Sequence, residues 1–187
     1  MRKINEIFYS LQGEGAYTGT PMIFIRFSGC NLSCSFCDTQ HQSGKWMSDV
    51  AILEEVGKFP ARTVVLTGGE PSLFIDDDFI GLLHTCGYRV HIETNGTRLL
   101  PVAIDWVTCS PKIDCQSDGQ LPLALDHADE LKVVYTGQSL DTFEAFRCRV
   151  RYLQPCSGRN IAQTVDYCLR HPQWRLSLQT HKLIDIR

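Results

Sequence analysis

Three cysteines stand within eight residues in the stretch GCNLSCSFCDTQH, which runs from Gly29 to His41. Their order is C-x3-C-x2-C (Cys30, Cys34, Cys37), and His41 follows four residues after the last of them. This set could form a closed Cys3His zinc site. It could equally hold a [4Fe-4S] cluster through three thiolates, which would leave one iron open for catalysis. The loop alone leaves both alternatives open.

The remaining cysteines show no metal-binding pattern. The chain has nine cysteines in all, and an odd count without an export signal favours metal or redox chemistry over disulfides. The other six form no C-x2-C pair, and small buried hydrophobic side chains are the expectation for them. They are Cys86, Cys109, Cys115, Cys148, Cys156 and Cys168.

Composition excludes several functional classes. The 187 residues are 43% hydrophobic and 21% charged with a net charge of -3, which fits a single globular domain over residues 1–187. No basic stripe suggests nucleic acid, and no apolar run is long enough to span a membrane. The opening MRKINEIFYS lacks the apolar stretch of a signal peptide, so we expect a cytoplasmic protein.

Short β-rich runs alternate with helical patterns, which predicts parallel strands joined by helical crossovers. A chain of this length is shorter than the about 250 residues of an eightfold barrel. The prediction is therefore an α/β fold, a partial (β/α) barrel of about six mainly parallel strands. The predicted strands cover residues 22–27, 63–68, 88–94, 104–110, 130–135, 151–154 and 174–179. The predicted helices cover residues 50–59, 77–87, 140–150 and 160–170.

Unusual polar segments follow the predicted strands. The cysteine loop, GGEP, TNGT, SPK, QP and QTHK each come where a strand ends. The carboxyl ends of parallel strands meet at one edge of a sheet, where ligands bind in such folds. The sequence therefore predicts one site that gathers these segments.

The cysteine loop and the GGEP segment together resemble radical S-adenosylmethionine enzymes. The loop carries an aromatic residue, Phe36, just before its last cysteine, and Gly68-Gly69-Glu70-Pro71 follows in the expected order. The resemblance implies a [4Fe-4S] cluster on Cys30, Cys34 and Cys37. It also implies that S-adenosylmethionine binds the open iron and that GGEP meets the amino group of its methionine moiety.

Nearly the whole chain resembles 7-carboxy-7-deazaguanine synthases of the queuosine pathway. The similar segments are INEIFYSLQGEGAYTGTPMIFIRFSGCN, CDTQH, LTGGEP, ETNGT, SPK, LQP and SLQTHK. The resemblance implies a lyase that contracts 6-carboxy-5,6,7,8-tetrahydropterin to 7-carboxy-7-deazaguanine and releases ammonia. It further implies Mg²⁺, a homodimer and an electron donor such as flavodoxin or ferredoxin.

The resemblance also assigns roles to individual residues. Thr39 would bind Mg²⁺, and no catalytic residue is implied beyond the radical that the cofactor supplies. The substrate would contact Leu11, Gln12, Gly13, Glu14, Arg26, Thr67, His181 and Arg187. S-adenosylmethionine would contact Gly69, Glu70, Glu93, Ser110, Lys112, Gln154, Pro155, Cys156 and Ser157.

Several of these residues have a plainer interpretation. Arg26 could form a buried ion pair, Glu93 could cap the turn that follows its strand, and Lys112 could be a solvated surface lysine. Many relatives end in proline where this chain has Arg187. Two rival functions remain at this point: an activating enzyme for a glycyl-radical protein, and a Cys3His zinc module without catalysis.

Overall fold

The computed structural model describes residues 1–37, 39, 43–112 and 122–187. Two residues discussed above, His41 and Cys115, lie outside the described residues. The expectation that His41 could complete a zinc site therefore stays a prediction.

The described residues form one sheet of nine strands. These are β1 (Arg2–Leu11), β2 (Pro21–Phe27), β3 (Lys45–Met47), β4 (Thr63–Gly68), β5 (Arg89–Thr94), β6 (Trp106–Cys109), β7 (Glu130–Tyr135), β8 (Val150–Pro155) and β9 (Arg175–Leu176). Their spatial order is β3-β1-β2-β4-β5-β6-β7-β8-β9.

The sheet is mostly parallel and open. β1 runs antiparallel to β2 and β3, whereas β2 and the strands from β4 to β9 are parallel. Within the described ranges, β3 and β9 are the two edges, so the barrel does not close. Six longer parallel strands and the two-residue β9 confirm the predicted partial barrel.

Four α-helices accompany the sheet in the described ranges: α1 (Asp49–Val56), α2 (Asp77–Thr85), α3 (Ile161–Arg170) and α4 (Thr180–Leu183). Ser48 caps α1 by accepting a hydrogen bond from the backbone N–H of Ala51. Asp76 caps α2 in the same way through the N–H of Phe79. Gly87 follows α2 at φ +81°, a left-handed conformation that glycine adopts without strain.

Strand side chains alternate between two faces. Ile25, Leu66 and Ile92 are fully buried in the core that also contains Phe79 of α2, which fixes which side faces the helices. The intervening residues must face the concave side, because successive side chains on a strand point in opposite directions. Near the carboxyl ends of their strands these are Arg26, Thr67, Glu93, Lys132 and Gln154.

The largest differences from the sequence-based prediction are in two places. β1 and β3 were not predicted, although β1 supplies the antiparallel partner of β2. The predicted helix over 140–150 is wrong, since only a 3-10 turn forms at Asp141–Phe143. Its buried residues Leu140, Phe143 and Phe146 are spaced by three, which matches the three residues per turn of a 3-10 helix.

His91 lies on the concave face of β5, and we expect it to make folding stability pH-dependent. Its ring is 4% exposed and packs against Tyr17, with ring centroids 4.6 Å apart. Among the described residues, its Nε2 has no hydrogen-bond partner. Burial lowers the pKa of His91 from 6.5 to about 4.

Between those two values the unfolded chain binds a proton at this histidine that the folded protein does not. The free energy of unfolding should therefore fall as pH falls through this window, by up to about 1.4 kcal/mol per pH unit from this group. The measurement is urea unfolding of the wild type and of His91→Phe at pH 7 and pH 5. The variant should lose less stability between the two pH values, and an identical loss would contradict this role.

Candidate active site

A cavity of about 640 Å³ opens at the carboxyl ends of the parallel strands. It gathers every substrate, cofactor and metal residue implied by the resemblance except Glu70. Its walls include Leu11, Gln12, Gly13, Glu14, Arg26, Cys30, Cys34, Cys37, Thr39, Thr67, Gly69, Glu93, Ser110, Lys112, Gln154, Pro155, Cys156, Ser157, His181 and Arg187. The prediction that the strand ends build one site is thus confirmed as a matter of geometry.

The three clustered cysteines lie along one wall of this cavity. Cys30 and Cys34 are half-buried, and Cys37 is exposed. Burial raises the pKa of the Cys30 thiol. Three thiols that face one cavity fit a [4Fe-4S] cluster, in which each thiolate binds a different iron. Among the described residues, no three His, Cys, Asp or Glu side chains are grouped as ligands of a single metal ion.

The GGEP segment is packed directly against the start of the cysteine loop. The backbone N–H of Glu70 donates to the carbonyl of Gly29 at 2.9 Å, and the N–H of Gly69 donates to Phe27 at 3.1 Å. A Cβ on Gly69 would lie 1.9 Å from the Gly29 oxygen, so only glycine permits this approach. Two motifs that are far apart in sequence therefore form one continuous wall.

Glu70 lies behind this wall and does not line the cavity. It is fully buried, and its carboxylate is the N-cap of the 3-10 turn at Pro71–Leu73. It accepts from the N–H of Ser72 at 3.0 Å, the hydroxyl of Thr94 at 2.7 Å and the N–H of Asn95 at 2.7 Å. The side chain thus holds the loop after β5 against the loop after β4.

A buried lysine joins two acidic residues that line the same cavity. Lys132 is 4% exposed, and its Nζ donates to Glu14 Oε2 at 2.5 Å and to Glu93 Oε1 at 3.2 Å. Burial would raise the pKa of Glu14, but Lys132, Gln179 and His181 together outweigh burial and lower that pKa to about 2. The carboxylates in turn raise the pKa of Lys132 against the effect of burial, so the lysine stays charged.

Uncharged donors complete this network. The amide nitrogens of Gln154 and Gln179 donate to Glu14 Oε1 at 3.1 and 2.9 Å. Gln12 Nε2 donates to Glu93 Oε1 at 3.3 Å, and the Thr67 hydroxyl donates to Glu93 Oε2 at 3.1 Å. Glu93 therefore contacts two residues assigned to the substrate, although the resemblance assigns it to the cofactor.

Comparison with known proteins agrees with this geometry. Residues 24–168 match the model of the Radical SAM superfamily. The 7-carboxy-7-deazaguanine synthase of Bacteroides thetaiotaomicron is 63% identical to this chain over the full length of both proteins. The synthase of Escherichia coli strain K12 is 35% identical, with 98% of each chain covered.

The chain belongs to the 7-carboxy-7-deazaguanine synthase family.

A solved structure from this family has the same fold. The crystal structure of QueE from Escherichia coli superposes with a TM-score of 0.80 at 33% identity, covering 96% of this chain and 94% of that one. Membership in the radical SAM superfamily implies a [4Fe-4S] cluster and S-adenosylmethionine. Of the two interpretations of the cysteine loop, the cluster is therefore the one that the comparisons support.

Arg26 has the ion-pair partner that the plainer interpretation required. Its Nε donates to Glu6 at 2.8 Å, and Arg187 pairs with the other oxygen of Glu6 at 3.1 Å. The Ser10 hydroxyl donates to the backbone oxygen of Arg187 at 2.7 Å. Arg187 is thus held at the cavity by its backbone and its side chain.

The segment around α4 packs on the loop after β1. Thr180 donates to the Gly13 carbonyl through its N–H at 2.9 Å and through its hydroxyl at 2.8 Å. A Cβ on Gly13 would lie 2.1 Å from the His181 ring, so this glycine allows the two segments to meet. The contacts explain why LQGEG and QTHK, at opposite ends of the sequence, both reach the site.

Sequence reasoning missed Lys132 and Glu130. Both lie on the concave face of β7, and Glu130 is 2% exposed and accepts from the N–H of Ala16 at 3.0 Å. The signal was available, because two charged residues alternate with Leu131 and Val133 in a strand otherwise expected to be buried. In such a strand, charged residues at every second position indicate that one of the two faces of the strand is polar.

None of the described helices has the length and apolar character that crossing a membrane requires.

Proposed function

We propose that this chain converts 6-carboxy-5,6,7,8-tetrahydropterin into 7-carboxy-7-deazaguanine and ammonia. The observation that carries the proposal is that three thiols and a buried acidic network line one cavity, in a chain of this family. Product and ammonia together contain the atoms of the substrate, so the net reaction requires no oxidant. An enzyme of this kind needs one pocket that shelters both cofactor and substrate.

The cofactor side of the cavity is the wall that carries the cysteines. Cys30, Cys34 and Cys37 would hold the cluster. The cluster and S-adenosylmethionine together would supply the chemistry that removes a hydrogen atom from a C–H bond. Gly69 offers backbone groups beside the thiols. Lys112 donates to the hydroxyl of Ser110 at 2.6 Å, which orients the lysine along the wall. Residues 154–157 would complete the cofactor contacts.

The substrate side is the wall that carries the acidic network. Glu14 would accept hydrogen bonds from the N–H edge of the pterin ring. Arg26 uses its Nε for Glu6, and a guanidinium has five N–H donors. Its terminal nitrogens could therefore still bind the substrate carboxylate. Leu11, Gln12, Gly13, Thr67 and His181 would complete the contacts with the ring.

We propose Thr39 as a ligand of Mg²⁺, because it lines the cavity directly after the cysteine loop and Mg²⁺ prefers oxygen ligands. Thr39→Val keeps the shape of the side chain and removes the oxygen. We expect this variant to lose stimulation by Mg²⁺ and about tenfold in kcat/KM, with unchanged iron content. Thr39→Ser, which keeps the hydroxyl, is the control. Equal Mg²⁺ stimulation in the Val variant would contradict the assignment.

Two partners are also part of the proposal. The resemblance supports a homodimer and a flavodoxin or ferredoxin as the electron donor. Sedimentation of the purified protein tests the first, since a dimer would sediment at twice the chain mass. Reduction of the cluster by a candidate donor tests the second.

The test of the function is anaerobic turnover with a chemical reductant. The purified protein should contain about four irons per chain and form 7-carboxy-7-deazaguanine from the carboxylated pterin. A fully loaded enzyme that cleaves S-adenosylmethionine but leaves the pterin unchanged would contradict it. Such a result would favour the rival that acts on a glycyl-radical protein.

A further inference from the structure

We propose that Lys132 is a positioning residue that selects the 2-amino-4-oxo ring edge of the substrate by holding Glu14 and Glu93 as paired hydrogen-bond acceptors. The inference rests on the proposed function and extends it, because it names the groups that read the ring and the residue that aligns them.

Around Lys132, the negative charges of the two carboxylates outnumber the single positive charge of the lysine. One ammonium group is shared between Glu14 and Glu93, and all three side chains line the cavity. Glu130 lies on the same strand two residues away and adds a third carboxyl. A buried lysine so surrounded keeps its proton, as the raised pKa of Lys132 indicates. Its role is therefore that of a fixed cation and not that of a proton donor.

The carboxylates of Glu14 and Glu93 still have unused acceptor positions for hydrogen bonds. Among the described residues, Glu14 receives donors from Lys132 on Oε2 and from Gln154 and Gln179 on Oε1. Glu93 receives Lys132 and Gln12 on Oε1 and Thr67 on Oε2. A carboxylate has about four acceptor positions. Each carboxylate can therefore accept about one further hydrogen bond, and in both residues the free acceptor position is on Oε2.

The amides are oriented so that they do not compete with a ligand for these positions. Gln12 Oε1 accepts from the N–H of Glu14 at 3.2 Å, and Gln154 Oε1 accepts from Ser177 at 3.3 Å. Their NH₂ groups consequently face the carboxylates. This wall presents acceptors to a ligand, and a 2-amino-4-oxopyrimidine edge presents two adjacent N–H donors. A 2-oxo edge would turn an acceptor toward a carboxylate, which is repulsive.

The test uses Lys132→Met and Lys132→Gln, which remove the charge, with Lys132→Arg, which keeps it. Lys58→Met removes an exposed lysine outside the cavity and serves as the control. The probes are 6-carboxy-5,6,7,8-tetrahydropterin and its 2-oxo analogue, titrated into anaerobic enzyme. Iron content, thermal stability and the Kd of S-adenosylmethionine are measured on the same samples.

We expect both neutral variants to weaken pterin binding by about 10- to 100-fold, the range for hydrogen bonds to charged groups. The preference for the pterin over its 2-oxo analogue should shrink to a few-fold in these variants and persist in Lys132→Arg and Lys58→Met. A wild type that binds S-adenosylmethionine but not the pterin would refute the proposed function itself.

Two results would overturn the inference alone. One is a folded, iron-loaded neutral variant that binds the pterin and rejects its analogue as the wild type does. The other is a failure of both neutral variants to fold while Lys132→Arg folds and no longer distinguishes the two ligands. That outcome would show that the lysine supports the fold and not the choice of ring.

Discussion

Cys34→Ala is expected to leave the protein folded and to remove its cluster, so that activity falls below detection. Cys34 is half-buried on the cavity wall and belongs to none of the hydrophobic core clusters. Its loss should therefore change the fold little. The open-iron arrangement already relies on three protein thiolates, and two would not retain a four-iron cluster. Iron analysis and the visible spectrum of the anaerobic protein measure the effect.

Cys86→Ala is the matched control. Cys86 is exposed at the end of α2, outside the cavity. Its replacement should leave iron content and turnover at wild-type values. Retention of about four irons per chain in Cys34→Ala would contradict the assignment of the three ligands.

Glu70→Ala is expected to destabilise the protein by about 3 kcal/mol or more. The substitution would leave three donors without their acceptor: the N–H groups of Ser72 and Asn95 and the hydroxyl of Thr94. A buried donor left unsatisfied costs about 1–3 kcal/mol, and these three lie in one place. Denaturant unfolding monitored by circular dichroism is the measurement.

Glu54→Ala is the control for Glu70→Ala, because Glu54 is exposed on α1 and should change stability by about 0.5 kcal/mol or less. The two interpretations of Glu70 give different outcomes. If Glu70 acted mainly by binding the cofactor, the alanine variant would unfold like the wild type and bind S-adenosylmethionine weakly. That result would contradict the structural role found here.

The location of the site could be predicted from the sequence, and the reason is geometric. GGEP and the cysteine loop each follow a run of apolar residues, and the carboxyl ends of parallel strands share one edge. Only the order of strands and motifs is needed for this prediction. Errors of one to three residues at strand ends, such as those at the short β9, therefore did not affect it.

The partners of the site residues could not be predicted, because they depend on three-dimensional neighbours. Nothing in LQGEG reveals that Glu14 meets Lys132 from a strand more than a hundred residues later. Glu70 is a second example, since its place in a motif suggests a cofactor contact but does not reveal the partners of its carboxylate. Those partners are Thr94 and Asn95.

Helix prediction failed over 140–150 because hydrophobic spacing alone does not distinguish a 3-10 turn from an α-helix. Leu140, Phe143 and Phe146 satisfy both patterns over so short a segment. The packing of these side chains against the sheet decides the outcome, and β8 begins at Val150. β1 was missed because its place in the sheet depends on a neighbour in three dimensions, the antiparallel strand β2.

The most direct test of the account is the stoichiometry of the reaction catalysed by the four-iron protein. Anaerobic enzyme is supplied with S-adenosylmethionine, reductant, Mg²⁺ and 6-carboxy-5,6,7,8-tetrahydropterin, and the products are measured by mass spectrometry and an ammonium assay. We expect one ammonium ion for each molecule of 7-carboxy-7-deazaguanine. Loss of the pterin without this product, or no loss of it by a fully loaded enzyme, would contradict the account.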